Sequence, residues 1–122
     1  MNNYQDVVLR LKAIFDSAVD GIIIIDSRGI IEEVNSASCY LFGYPESELL
    51  GQNVSKLMPF SDSQKHDSYI QNFQKTRQPK IIGRGREVVG KKKNGEEFPF
   101  WLAVIEIKLE ERVIYTGFSF YH

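Results

Sequence analysis

The chain has 122 residues, of which 43% are hydrophobic and 25% charged, and a formal net charge of −1. This length suits one globular domain with a single core, and the near-neutral charge gives no reason to expect nucleic acid or an anionic membrane as partner. The single cysteine, Cys39, excludes an internal disulfide framework and fits a reducing compartment.

The N-terminus, MNNYQDVVLR, lacks the basic-then-apolar order of a signal peptide. No apolar run approaches bilayer length, so a cytoplasmic location without membrane insertion is expected. Val7, Val8, Leu11, Ile14 and Phe15 recur at helical spacing and predict an amphipathic helix over residues 4–17. Such a stripe has to cover something, either its own sheet or a partner chain. The β-branched run from Gly21 to Asp26 predicts a strand buried on both faces. Ser27-Arg28-Gly29 supplies a turn, and Ile30, Ile31 and Val34 a return strand.

Asn35-Ser36 caps a short helix that runs through Cys39, Leu41 and Phe42 and stops at Gly43. Pro45-Glu46 opens a second short helix, ending at Leu50-Gly51. Val54, Leu57 and Met58 suggest a third, closed by Pro59. Ser61 or Asp62 is the N-cap of the next helix, with Gln64 as in a capping box. His66, Tyr69, Ile70 and Phe73 fall on one face of it, and Pro79 ends it. A loop with Gly83 and Gly85 follows. Arg86–Lys93 and Glu96–Lys108 read as strands joined at Asn94-Gly95, the strongest short hairpin signal, and Val113–Phe120 as the last strand. The basic run Lys91–Lys93 reads as a solvated hairpin arm.

The long strand is apolar on both sides. Phe98, Phe100, Leu102 and Val104 face one way, and Trp101, Ala103 and Ile105 the other. The second set predicts cover from the N-terminal helix or from a second subunit. The order of elements predicts an α+β domain, residues 1–122, with an N-terminal helix over 1–17 and a core over 18–122. In it, short helices pack on one face of a five-stranded antiparallel sheet, and the concavity between them is the natural pocket.

LKAIFDSAVDGIIIIDSRGIIEEVNSAS, LFGYPESELLGQNVSKLMP, GREVVGKKKNGEEFPFWLAVIE and YTGFSF together resemble a PAS domain, over about Leu11 to Phe118. HDSYI followed by PKIIGRGREVVGKKKNGEEFP is similar to the oxygen-sensing haem PAS domains of FixL-type kinases. That resemblance implies a sensory module, not an enzyme, in a two-component signalling protein that binds haem b. His66 would be the proximal ligand and the metal-binding residue. Arg86 would contact bound oxygen or a haem propionate, and Ile81, Leu102 and Val104 would line the distal side. Tyr69 and Ile70, beside His66, complete the apolar lining, and Lys80 offers a point charge to a propionate. Asn72 and Lys80 stand where the family pattern has an arginine and a histidine, both of which help to hold propionates. The chain ends at GFSFYH, before the Asp-x-Thr that usually starts the outgoing helix in the family. The effector implied, a histidine kinase or a cyclase among others, lies outside it, and a homodimer through the N-terminal helix and the outer sheet face is expected.

Plainer readings stand beside these. A histidine on an apolar helix face is usually satisfied by a backbone carbonyl, and Arg86 has possible ion-pair partners in Glu106 and Asp67. The module then binds another small ligand or none and serves as a dimerisation and relay spacer. Cys39 reads as a structural thiol, because the N-C-R-F-L-Q motif of the flavin-linked light sensors is absent. Two histidines, His66 and the terminal His122, with one distant cysteine do not make a zinc site. An enzyme using His66 as general base lacks any clustered carboxylate or nucleophile.

Overall fold

The computed structural model describes residues 3–59 and 85–120. Among them, a helix α1 (Asn3–Ser17) leads into a hairpin of β1 (Gly21–Asp26) and β2 (Ile31–Val34). Two short helices, α2 (Ser36–Phe42) and α3 (Glu46–Leu49), and a 3-10 turn (Val54–Leu57) follow. A meander of β3 (Arg86–Lys91), β4 (Glu97–Lys108) and β5 (Val113–Phe120) ends the described chain. The strands form one five-stranded sheet in the order β2-β1-β5-β4-β3, every neighbouring pair antiparallel. This is the α+β architecture that the order of elements predicts.

The local signals act where they stand. The Asn35 side chain accepts the Ser38 N–H at 3.1 Å as the α2 N-cap. Gly43 ends the helix at φ 77°, where a side chain would be strained, and returns its N–H to the Cys39 carbonyl. Asn94-Gly95 turns the β3–β4 hairpin, but as a longer loop than a two-residue turn. Gly95 N–H closes on the Lys92 carbonyl and Lys92 N–H on the Glu96 carbonyl, both at 2.9 Å, so β3 stops at Lys91. The Asn94 side chain accepts the Glu96 N–H and braces that loop.

One face of the sheet carries the core. Ile23, Ile25, Phe98, Phe100, Leu102, Val104 and Tyr115 are buried there under Phe42, Leu49, Val54, Leu57 and Met58 from the short helical segments. The other face differs from expectation. β1 is buried on alternate residues only, with Ile22 and Ile24 half-buried, so the apolar run does not make a strand covered on both sides. Trp101, Ile105 and Ile107 of β4 also remain exposed. The N-terminal helix does not cover them. α1 has no buried residue, and Val7, Val8, Leu11 and Ile14 all face solvent. Its last turn is instead held against α2, where the Asn35 side chain bonds the Phe15 carbonyl.

Candidate functional site

The register of the meander decides which side chains share the inner face. Arg86 stands opposite Leu102, Val88 opposite Phe100 and Gly90 opposite Phe98. On the other flank of β4, Val104 stands opposite Gly117 and Leu102 opposite Ser119. Directly paired residues project to the same side of a sheet. The half-buried Arg86, the buried Leu102 and Val104, and Gly117 therefore lie on one surface, facing the helical layer.

The two ends of this surface are built differently. Next to the β3–β4 loop, Phe42, Phe98 and Phe100 form a three-ring cluster with centroids 5.4–5.5 Å apart. Gly90 lets these rings close: a Cβ there would meet Phe100 Cε1 at 2.7 Å and Phe42 Cε1 at 3.0 Å. This end is solid. At the centre of the sheet Gly117 has the opposite surroundings. Among the described residues, a Cβ there would touch Leu102 Cδ1 at 3.4 Å and the Ile23 carbonyl at 3.8 Å, ordinary contact distances. The surface beside Leu102 and Val104 is thus thinned by one side chain, which suits close approach of a flat apolar group. Arg86 adds a permanent cation at its margin, with a planar fork of donors that matches a carboxylate.

Of the expected site residues, Arg86, Leu102 and Val104 are brought together by this register. His66, Tyr69, Ile70, Lys80 and Ile81 lie outside the described residues, as do Asn72 and Asp67. Gly117 was not anticipated, although a glycine inside the strand VIYTGFSF signals a bulge or a close approach. Cys39 is half-buried in α2, and burial, followed by the nearby Glu46 carboxylate, raises its thiol pKa, so it remains a protonated structural thiol. Among the described residues no group of three His, Cys, Asp or Glu is placed to hold a metal ion.

Residues 9–115 match the family model described as the PAS fold. The chain belongs to the PAS family. This PAS domain is 43% identical over 108 residues to the sensor protein FixL of Bradyrhizobium diazoefficiens, a match covering 88% of the chain and 21% of that protein. It is 30% identical over 99 residues to the cell-division control histidine kinase PdhS of Brucella anthropi, covering 81% of the chain and 9% of the kinase. Its fold superposes on the crystal structure of the PAS domain of an HTR-like protein from Haloarcula marismortui with a TM-score of 0.78 at 24% identity, covering 95% of this chain and 92% of that one. The PAS domain therefore corresponds to a small part of much longer curated relatives, and it is a sensory module of the kind carried by signal-transduction proteins. None of its described helices is long and apolar enough to cross a membrane.

Proposed function

We propose that this PAS domain is a gas-sensing module that binds b-type haem, with His66 as proximal ligand. The observation that carries the reading is the 43% identity to a FixL sensor protein, together with Arg86, Leu102, Val104 and the side-chain-free Gly117 on one surface. The residues present fit a flat apolar group with an anionic edge. Leu102 and Val104 supply a dry wall, Gly117 lets the group lie close to the sheet, and Arg86 supplies a charge-assisted bond to a carboxylate. By the motif resemblance, Tyr69, Ile70 and Ile81 would complete the lining, and Lys80 would supply a second cation. When bound, haem iron supplies the coordination position at which a gas is detected.

The chain's own residues turn that event into a signal. An arginine on the pocket wall is held by whichever anionic or polar partner is present, and a change of partner moves β3. β3 is an edge strand of the meander, so the movement reaches the outer face of the sheet. The exposed Trp101, Ile105 and Ile107, with Ala103 and the unpartnered stripe of α1, form the surface through which two copies pair. A histidine kinase or another output domain, lying outside this segment, reads the arrangement of the pair.

The test is spectroscopic. Protein supplied with haemin is expected to develop a Soret band that His66→Ala removes or strongly weakens, and Arg86→Ala is expected to change the spectrum of the gas-bound form. A His66→Ala spectrum identical to wild type would refute His66 as ligand.

A further inference from the structure

Trp101 is the only tryptophan of the chain, and it lies on the outer face of the sheet, 38% exposed. Its indole does not extend freely into solvent. In the β3–β4 ladder Trp101 pairs with Glu87, which makes Gly85 its diagonal neighbour, two residues along the edge strand. Diagonal positions are within reach of aromatic side chains. A Cβ built on Gly85 would overlap indole Nε1 and come within 3.0 Å of Cδ1 and Cε2. The indole therefore lies directly on the Gly85 backbone, which has φ 81°, a conformation that favours glycine. An aromatic ring over an edge-strand glycine supplies the packing that the missing side chain does not. The next residue is Arg86, whose side chain turns to the opposite face, toward Leu102.

We propose that Trp101 is a positioning residue for Arg86: by clamping Gly85 from outside the sheet, the indole sets the direction in which the Arg86 guanidinium enters the pocket. The proposal rests on the cofactor reading of Arg86. It links the two faces through one backbone step, because a rotation at Gly85 that swings Arg86 must also lift or press the indole. The linkage is reciprocal, so whatever alters the Trp101 environment on the outer face alters ligand affinity on the inner face. It also makes Trp101 the point at which the outer surface senses the state of the pocket.

The experiment compares haemin affinity in wild type, Trp101→Ala, Trp101→Phe and Ile107→Ala. Ile107 shares the exposed face and strand but lies further along β4, away from Gly85, so it controls for loss of apolar surface and of subunit pairing. The expected result is a loss of about fivefold or more for Trp101→Ala, substantial recovery in Trp101→Phe, and a clearly smaller change in Ile107→Ala, which acts through pairing alone. A second readout needs no ligand. In protein labelled with 5-fluorotryptophan and diluted to the monomer, the single fluorine resonance is expected to shift in Arg86→Ala and to remain in place in Ile107→Ala. Equal haemin affinity in Trp101→Ala and Ile107→Ala, or a fluorine resonance unmoved by Arg86→Ala, overturns the proposal. Should wild type bind no haemin, the cofactor reading fails, and the fluorine response alone decides the coupling.

Discussion

Asn35 donates a hydrogen bond from its side-chain amide to the Phe15 carbonyl at 3.0 Å, tying the last turn of α1 to the first turn of α2. The same amide nitrogen donates to the Asp20 carbonyl at 3.0 Å, and the amide oxygen accepts the N–H groups of Ile22 and Ser38 at 2.8 and 3.1 Å. The side chain is 1% exposed and all four bonds are made. Since α1 buries none of its own residues, this amide is a main fixture of the N-terminal helix on the domain.

Asn35→Ala leaves the buried Ser38 N–H, the half-buried Ile22 N–H and two carbonyls short of partners at once. A loss of about 2–4 kcal/mol is expected, at roughly 1–3 kcal/mol for each unsatisfied buried group with partial relief by water. Asn35→Asp keeps the acceptor but turns a carboxylate toward two carbonyls, so it is expected to be no better. Urea denaturation midpoints measure both. Aspartate at wild-type stability would show that the bonds to Phe15 and Asp20 matter little.

Gly90 and Gly117 are expected to respond oppositely to alanine. At Gly90 the added methyl meets three phenylalanine rings at 2.7–3.1 Å, so Gly90→Ala is expected to destabilise by about 1–3 kcal/mol through overpacking. At Gly117 the methyl has ordinary contacts with the described residues, and Gly117→Ala is expected to hold stability within about 0.5 kcal/mol. Because that methyl occupies the surface beside Leu102, haemin affinity is expected to fall about tenfold, or ~1.4 kcal/mol. Thermal unfolding and haemin titration on the two variants separate packing from binding.

Asp26 organises the β1–β2 turn by accepting the N–H groups of Arg28 and Ile30 at 2.8 and 3.0 Å. Burial pulls its carboxyl pKa up, but these bonds and the Arg28 guanidinium outweigh burial and hold it below its ordinary value of 3.8. A depressed folded value contributes stability that is fully present above the unfolded value and disappears as pH falls through the folded one. Asp26→Asn is therefore expected to be less stable than wild type at neutral pH, with the difference closing below about pH 4. Urea midpoints of the pair across that range check the sign; a gap that widens in acid contradicts it.

Subunit pairing through the outer face makes Ile105→Glu a sharp probe. A carboxylate at this exposed position leaves the monomer core untouched but faces the apolar stripe of the partner. Wild type is expected to sediment as a dimer and Ile105→Glu as a folded monomer whose unfolding midpoint is lower only by what association contributes and matches wild type diluted to the monomer. Identical sedimentation of the two proteins would remove the outer face from the pairing surface.

Much of this PAS domain is legible in local chemistry. The caps at Asn35 and Gly43, the turn at Asn94-Gly95 and the alternation from Phe98 to Val104 each act over a few residues, so the residue types alone determine α2, the hairpin and the inner face of β4. The motif resemblance likewise marks Arg86, Leu102 and Val104 before any coordinates. Other features depend on partners distant in the chain. Asn35 reads as a cap from its neighbours, yet its bonds to Phe15 and Asp20 require α1 to return to that spot. The composition of α1 and β4 suggests covered apolar surfaces, but only the tertiary arrangement leaves both open, because the last turn of α1 is held beside α2. The contact of Trp101 with Gly85, and the contrast between Gly90 and Gly117, follow from strand register, which places diagonal and opposite neighbours and is set by the whole sheet rather than by any one strand.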